Sequence, residues 1–133
     1  MAETVGPFPP DAAAIAVCPW LTEDELAVYA GEYERTGFQG GLNWYRASLD
    51  SGLAAELTKF AGRRIEVPAL FVAGRSDWGV FQTPGAYERM RSVACARMIG
   101  CHLIEGAGHW VMQERPDAVA KLPIDFCRGA VTE

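Results

Sequence analysis

The chain has 133 residues, half of them apolar, enough for one compact domain with one core and no second lobe. Asp and Glu outnumber Lys and Arg by 17 to 12, and the resulting net charge of −5 argues against nucleic acid or an anionic membrane as the main partner, since both require clustered positive charge. The longest apolar run, Ala12 to Cys18, falls far short of the roughly 20 residues that span a bilayer.

Residues 1–19 read as irregular: Pro7, Pro9, Pro10 and Pro19 remove backbone donors and push the preceding residues out of helical space. Met1-Ala-Glu lacks a basic start and the prolines interrupt any apolar stretch, so no secretory signal is expected and a cytoplasmic location is. Thr22-Glu-Asp-Glu25 has the form of a capping box, and Leu26, Tyr29 and Tyr33 follow at helical spacing until Gly37. A second helix is expected from about Gly41, through Leu42, Tyr45, Arg46 and Leu49, closed by Gly52. A short helical stretch follows around Leu53 to Phe60. Val67 to Gly74 is a continuous apolar run ended by glycine, which predicts a strand buried on both faces of a parallel sheet.

Gly85 to Arg97 reads as helix, and Cys101 to Ile104 as a second strand cut off by Gly106-Ala107-Gly108. Pro116 suits the first turn of a final helix running through Phe126, within which Pro123 predicts a kink or an early stop. The order is two helices, then a βαβα unit whose strands are parallel neighbours. The fold class is therefore α/β. The four cysteines, Cys18, Cys95, Cys101 and Cys127, show no Cys-x-x-Cys spacing, and the only histidines are His102 and His109. Reduced, buried thiols are expected, with no metal and no cofactor. His102, inside a strand pattern, reads as a satisfied structural histidine.

In open α/β sheets the ligand crevice lies beyond the carboxyl ends of the strands. One loop leaving those ends carries Asp77, three residues past Gly74, and the other carries His109, five past Ile104. Adjacent parallel strands lie about 5 Å apart, so the two side chains can meet. A carboxylate at one imidazole nitrogen fixes the tautomer and stabilises the imidazolium formed when the other nitrogen takes a proton. A turn aspartate and an ordinary loop histidine fit the same positions, and position alone does not separate the readings.

Gly-Ala-Gly-His-Trp (106–110), with Gln113, Glu114, Arg115 and Pro116 after it, resembles the catalytic-histidine segment of α/β-hydrolases. Ala-Leu-Phe-Val-Ala-Gly-Arg-Ser-Asp (69–77) resembles the strand and loop that deliver the triad acid. Gly37-Phe-Gln-Gly-Gly-Leu-Asn-Trp-Tyr-Arg46 is similar to the cap-domain motif of epoxide hydrolases, and the gaps of 32 residues from Tyr45 to Asp77 and from Asp77 to His109 fit that family. The resemblance covers Trp20 to Arg128. It implies a partial α/β-hydrolase fold: an irregular segment over 1–19, part of a helical cap over 20–62, and the carboxyl-terminal part of the core over 63–133.

In such enzymes an aspartate attacks the epoxide carbon, and water activated by histidine hydrolyses the resulting ester. The resemblance then makes Tyr45 the hydrogen-bond or proton donor to the epoxide oxygen, His109 the general base and Asp77 its orienting partner. Trp44, Trp78 and Trp110 would line a pocket for a small apolar epoxide, although core packing explains any one of them as well. The nucleophile elbow, Gly-x-Ser-x-Gly or its Asp equivalent, does not occur in the 133 residues, nor does a His-Gly-x-Pro segment. The expectation is therefore a carboxyl-terminal portion, truncated or half of a split enzyme, inactive alone and associating with an amino-terminal half or with itself. A dehalogenase or serine-hydrolase fragment, or a degenerate domain that only binds, are the alternatives.

Overall fold

A computed structural model of the chain describes residues 11–129. It opens on a helix, α1 (Ala12–Ala16), where the prolines predict irregular backbone. Asp11 Oδ1 accepts the N–H of Ala14 at 2.7 Å, and the alanine-rich run supplies the propensity for one capped turn. Residues 1–10 of the expected irregular segment lie outside the described residues.

Helix α2 (Glu23–Thr36) begins at the predicted capping box: Thr22 Oγ1 accepts the N–H of Glu25 at 3.2 Å, and Glu25 Oε2 accepts the N–H of Thr22 at 2.8 Å. The backbone and side-chain hydrogen bonds from Thr22 hold the Glu25 carboxyl below its ordinary value. Helix α3 (Gln39–Leu49) starts ahead of Gly41 and stops before Gly52. Asp50 sets the break: its Oδ1 accepts the N–H groups of Gly52 and Leu53 and so caps a new helix, α4 (Ser51–Leu57). A 3-10 turn, Thr58–Phe60, follows.

Strands β1 (Ile65–Gly74) and β2 (Cys95–Ile104) pair in parallel, from Ile65 opposite Cys95 to Gly74 opposite Ile104. Between them lie two short helices, α5 (Trp78–Phe81) and α6 (Ala86–Arg89), and a π-helical turn, Met90–Ala94. That turn ends the helix earlier than expected, so Cys95–Arg97 is strand and β2 is longer than Cys101–Ile104. After β2 come α7 (Val111–Glu114) and α8 (Pro116–Cys127), with Pro116 in the first turn as predicted. The expected stop at Pro123 does not occur, and the helix continues to Cys127. The missing N–H leaves the carbonyl of half-buried Val119 without its usual helical donor, while Pro123 itself is exposed.

Helices followed by a βαβα unit with two parallel strands make this a partial α/β fold, as expected. Its core is thin. Among the described residues the buried apolar ones are Ala73, Cys95 and Ala107, all small. The expected burial of β1 on both faces is not met: Val67 is 65% exposed, and burial sets in only at Ala73 and Gly74. The sheet has only these two strands among the described residues, so nothing flanks the apolar run on its other edge. Buried thiols are found only at Cys95; Cys18 and Cys101 are half-buried, Cys127 is exposed, and all four are free. Among the described residues no helix is long and apolar enough to cross a membrane.

Candidate active site

The carboxyl ends of β1 and β2 are held together by backbone. Arg75 N–H donates to the Ile104 carbonyl at 2.9 Å, and Ser76 N–H donates to the Ala107 carbonyl at 3.0 Å. The approach is so close that a Cβ on Gly74 would lie 2.1 Å from the Gly108 oxygen, so only glycine fits. Gly106 turns the second loop at φ 68. An ion pair between Arg75 and Glu105 spans the outside of the junction.

From these loops Asp77 and His109 come into contact, with Asp77 Oδ1 2.9 Å from His109 Nδ1. Asp77 also caps α5, its Oδ1 accepting the N–H of Gly79 at 2.8 Å. Its side chain is only 13% exposed, against 50% for His109. Burial pushes the Asp77 carboxyl up, but the hydrogen bonds from His109 and Gly79, with the charge of His109, outweigh it and hold the carboxyl below its ordinary value. An ionised carboxylate only accepts, so His109 Nδ1 carries the hydrogen and, in the neutral ring, Nε2 is left free to take a proton. Trp78 stacks on the imidazole, centroids 5.6 Å apart and planes at 23°, and Trp110 meets it edge-on at 5.3 Å.

Tyr45 and Trp44 are placed elsewhere. They line an open groove of about 400 Å³ with Tyr33, Phe38 and Leu42, and both are largely exposed. A second groove, about 390 Å³, runs from Leu26, Tyr29 and Tyr33 of α2 to Trp110 and Gln113 beside the histidine. Tyr33 lines both, so the grooves adjoin, but Tyr45 has no hydrogen bond to Asp77 or His109.

Two features escaped sequence reasoning. Glu114 accepts the N–H of Gly108 on Oε2 at 2.7 Å and the N–H of Trp110 on Oε1 at 3.0 Å, bracketing His109. The sequence signal was an acid five residues past the histidine, at the end of a single helical turn. The Nε2 of His102 is buried without a hydrogen-bond partner, which corrects its reading as a satisfied histidine, and Gln113 Oε1 is in the same state.

The chain is 40% identical over 114 residues to "Epoxide hydrolase A" of Mycobacterium tuberculosis, a match covering 83% of this chain and 33% of that protein. Its structure aligns with an "Epoxide hydrolase from an endophytic Streptomyces" at a TM-score of 0.81 and 34% identity, over 95% of this chain and 36% of that one. The chain corresponds to the carboxyl-terminal portion of an epoxide-hydrolase-like α/β-hydrolase. The crystal structure of "Epoxide Hydrolase A" from Mycobacterium thermoresistibile, 46% identical, aligns at a TM-score of 0.67 over 90% of this chain and 35% of that one. The chain thus spans about a third of the length of the epoxide hydrolases it matches. No family model matches it.

Proposed function

We propose that this chain supplies the proton-handling side of epoxide hydrolysis, acting with a carboxylate nucleophile that its own 133 residues do not encode. In this reading the nucleophile attacks an epoxide carbon, the C–O bond breaks, and Tyr45 donates a hydrogen bond or proton to the leaving oxygen. His109 Nε2 then takes a proton from water, whose oxygen attacks the ester carbonyl, releasing the diol and restoring the carboxylate. Asp77 orients the ring and balances the imidazolium charge. Residues 20–62 act as part of a cap over the core of 63–133, and Trp44, Trp78 and Trp110 offer apolar surface to a small epoxide. The observation that carries the reading is the 2.9 Å contact between Asp77 and His109, which presets the tautomer a general base needs. The similarity to epoxide hydrolases supports the substrate class.

The test is co-expression with the amino-terminal portion of a related epoxide hydrolase that bears an elbow aspartate, followed by assay on an aryl epoxide. Turnover is expected from the pair and not from the chain alone. Asp77→Asn is expected to lower it by about 10⁴-fold and Tyr45→Phe by about 10²-fold. Hydrolysis by the isolated chain, abolished by His109→Ala, would overturn the division of labour. Paired activity indifferent to both Asp77→Asn and His109→Ala would overturn the assigned roles.

A further inference from the structure

We infer that Glu114 is a positioning residue that holds the His109 ring on Asp77, an inference that rests on reading that pair as the proton-abstracting group. Glu114 acts through the backbone. Its two carboxylate oxygens accept the N–H groups of Gly108, at 2.7 Å, and Trp110, at 3.0 Å, the residues immediately before and after the histidine. Charge-assisted bonds of this kind are about twice as strong as neutral ones.

The loop needs such a clamp. Gly106 sits at φ 68, Gly108 is a second residue without a side chain to hold the backbone, and the His109 side chain is half exposed, with Asp77 as its hydrogen-bond partner. Glycine-rich backbone has the most freedom to lose, and a ring left to wander would meet Asp77 only part of the time. Glu114 is itself anchored: its own N–H and that of Gln113 both donate to the Trp110 carbonyl at 2.9 Å. Arg115 Nη1 donates to the Glu114 carbonyl at 2.8 Å, and Arg115 Nη2 lies 2.6 Å from where a Cβ on Gly106 would stand. Acid, turn and histidine thus form one closed backbone unit. A misplacement of about 1 Å in such a base costs on the order of 10²-fold in rate.

The readout is the tautomer of His109 in the full chain, taken from its ring nitrogen-15 shifts. Glu114→Ala is expected to lower the ratio of Nδ1–H to Nε2–H by about tenfold, the worth of one lost hydrogen bond. Glu114→Gln, whose single carbonyl oxygen serves one of the two N–H groups, lowers it by less. A carboxylate that only stabilised α7 would reduce the unfolding midpoint and leave the ratio alone. Asp77→Ala supplies the reference shift. If Asp77→Ala moves the ratio and Glu114→Ala does not, the role of Glu114 is overturned and the pair stands; should Glu114→Ala not fold, an unchanged ratio in Glu114→Gln overturns it equally. If Asp77→Ala itself moves nothing, the reading of the pair fails and takes the inference with it.

Discussion

One oxygen, Asp77 Oδ1, accepts both the Nδ1–H of His109 and the N–H of Gly79. Because the folded chain holds this carboxyl below its ordinary value, it binds the proton less readily than the unfolded chain does. The stabilisation is therefore complete above the unfolded aspartate value of about 3.9 and is lost as pH falls through the lower folded one. Urea unfolding followed into acid is expected to show wild type losing more midpoint across that window than Asp77→Asn; parallel curves would show that the pair adds no linkage. Gly74 is the other decisive residue, since a methyl group there collides with the Gly108 carbonyl. Gly74→Ala is expected to cost about 1–3 kcal/mol, the usual range for overpacking, measured by urea unfolding, and to separate His109 from Asp77 in the ring nitrogen-15 spectrum.

At the scale of elements, the features legible in the sequence are those written in local side-chain chemistry. Thr22 and Glu25 announce a helix start, glycine ends an apolar run at Gly74, and Pro116 opens α8. The contact of Asp77 with His109 was legible because parallel neighbours put both loops at one sheet end. Asp50 was not legible, since an acid inside a helical pattern reads as a wet face until the break it caps is seen. Nor was Glu114, whose partners are backbone N–H groups that leave no mark on residue type. Of the kink or early stop expected at Pro123, the stop does not occur, because a cost of about 3 kcal/mol sets no helix end when the surrounding turns continue. Removing it is instructive: Pro123→Ala restores a donor to the Val119 carbonyl and is expected to raise stability by about 1–3 kcal/mol, the lower end reflecting the unfolded-state restriction that proline provides. An unchanged or lower unfolding midpoint would show that the ring itself packs to advantage.

At the scale of the molecule, surface is the governing quantity. Among the described residues the buried apolar side chains are few and small. Val67, Trp78 and Phe81 are among the large apolar side chains left in water. Among the described residues no further strand lies beside either outer edge of the two-stranded sheet, the kind of template that recruits another chain. Sedimentation of the purified chain is accordingly expected to show association. A compact 14.5 kDa species that unfolds cooperatively would contradict that expectation. The pairing of the strands also governs how the native state is reached. Ile65 meets Cys95 and Gly74 meets Ile104, so the rungs of the ladder join residues about thirty positions apart. Loop entropy must be lost before the first rung rewards it, which makes such ladders slow to close. Asp77 and His109 stand just beyond the rung of Gly74 and Ile104, so the time at which the imidazole acquires its fixed tautomer would serve as a clock for docking of the strands' carboxyl ends.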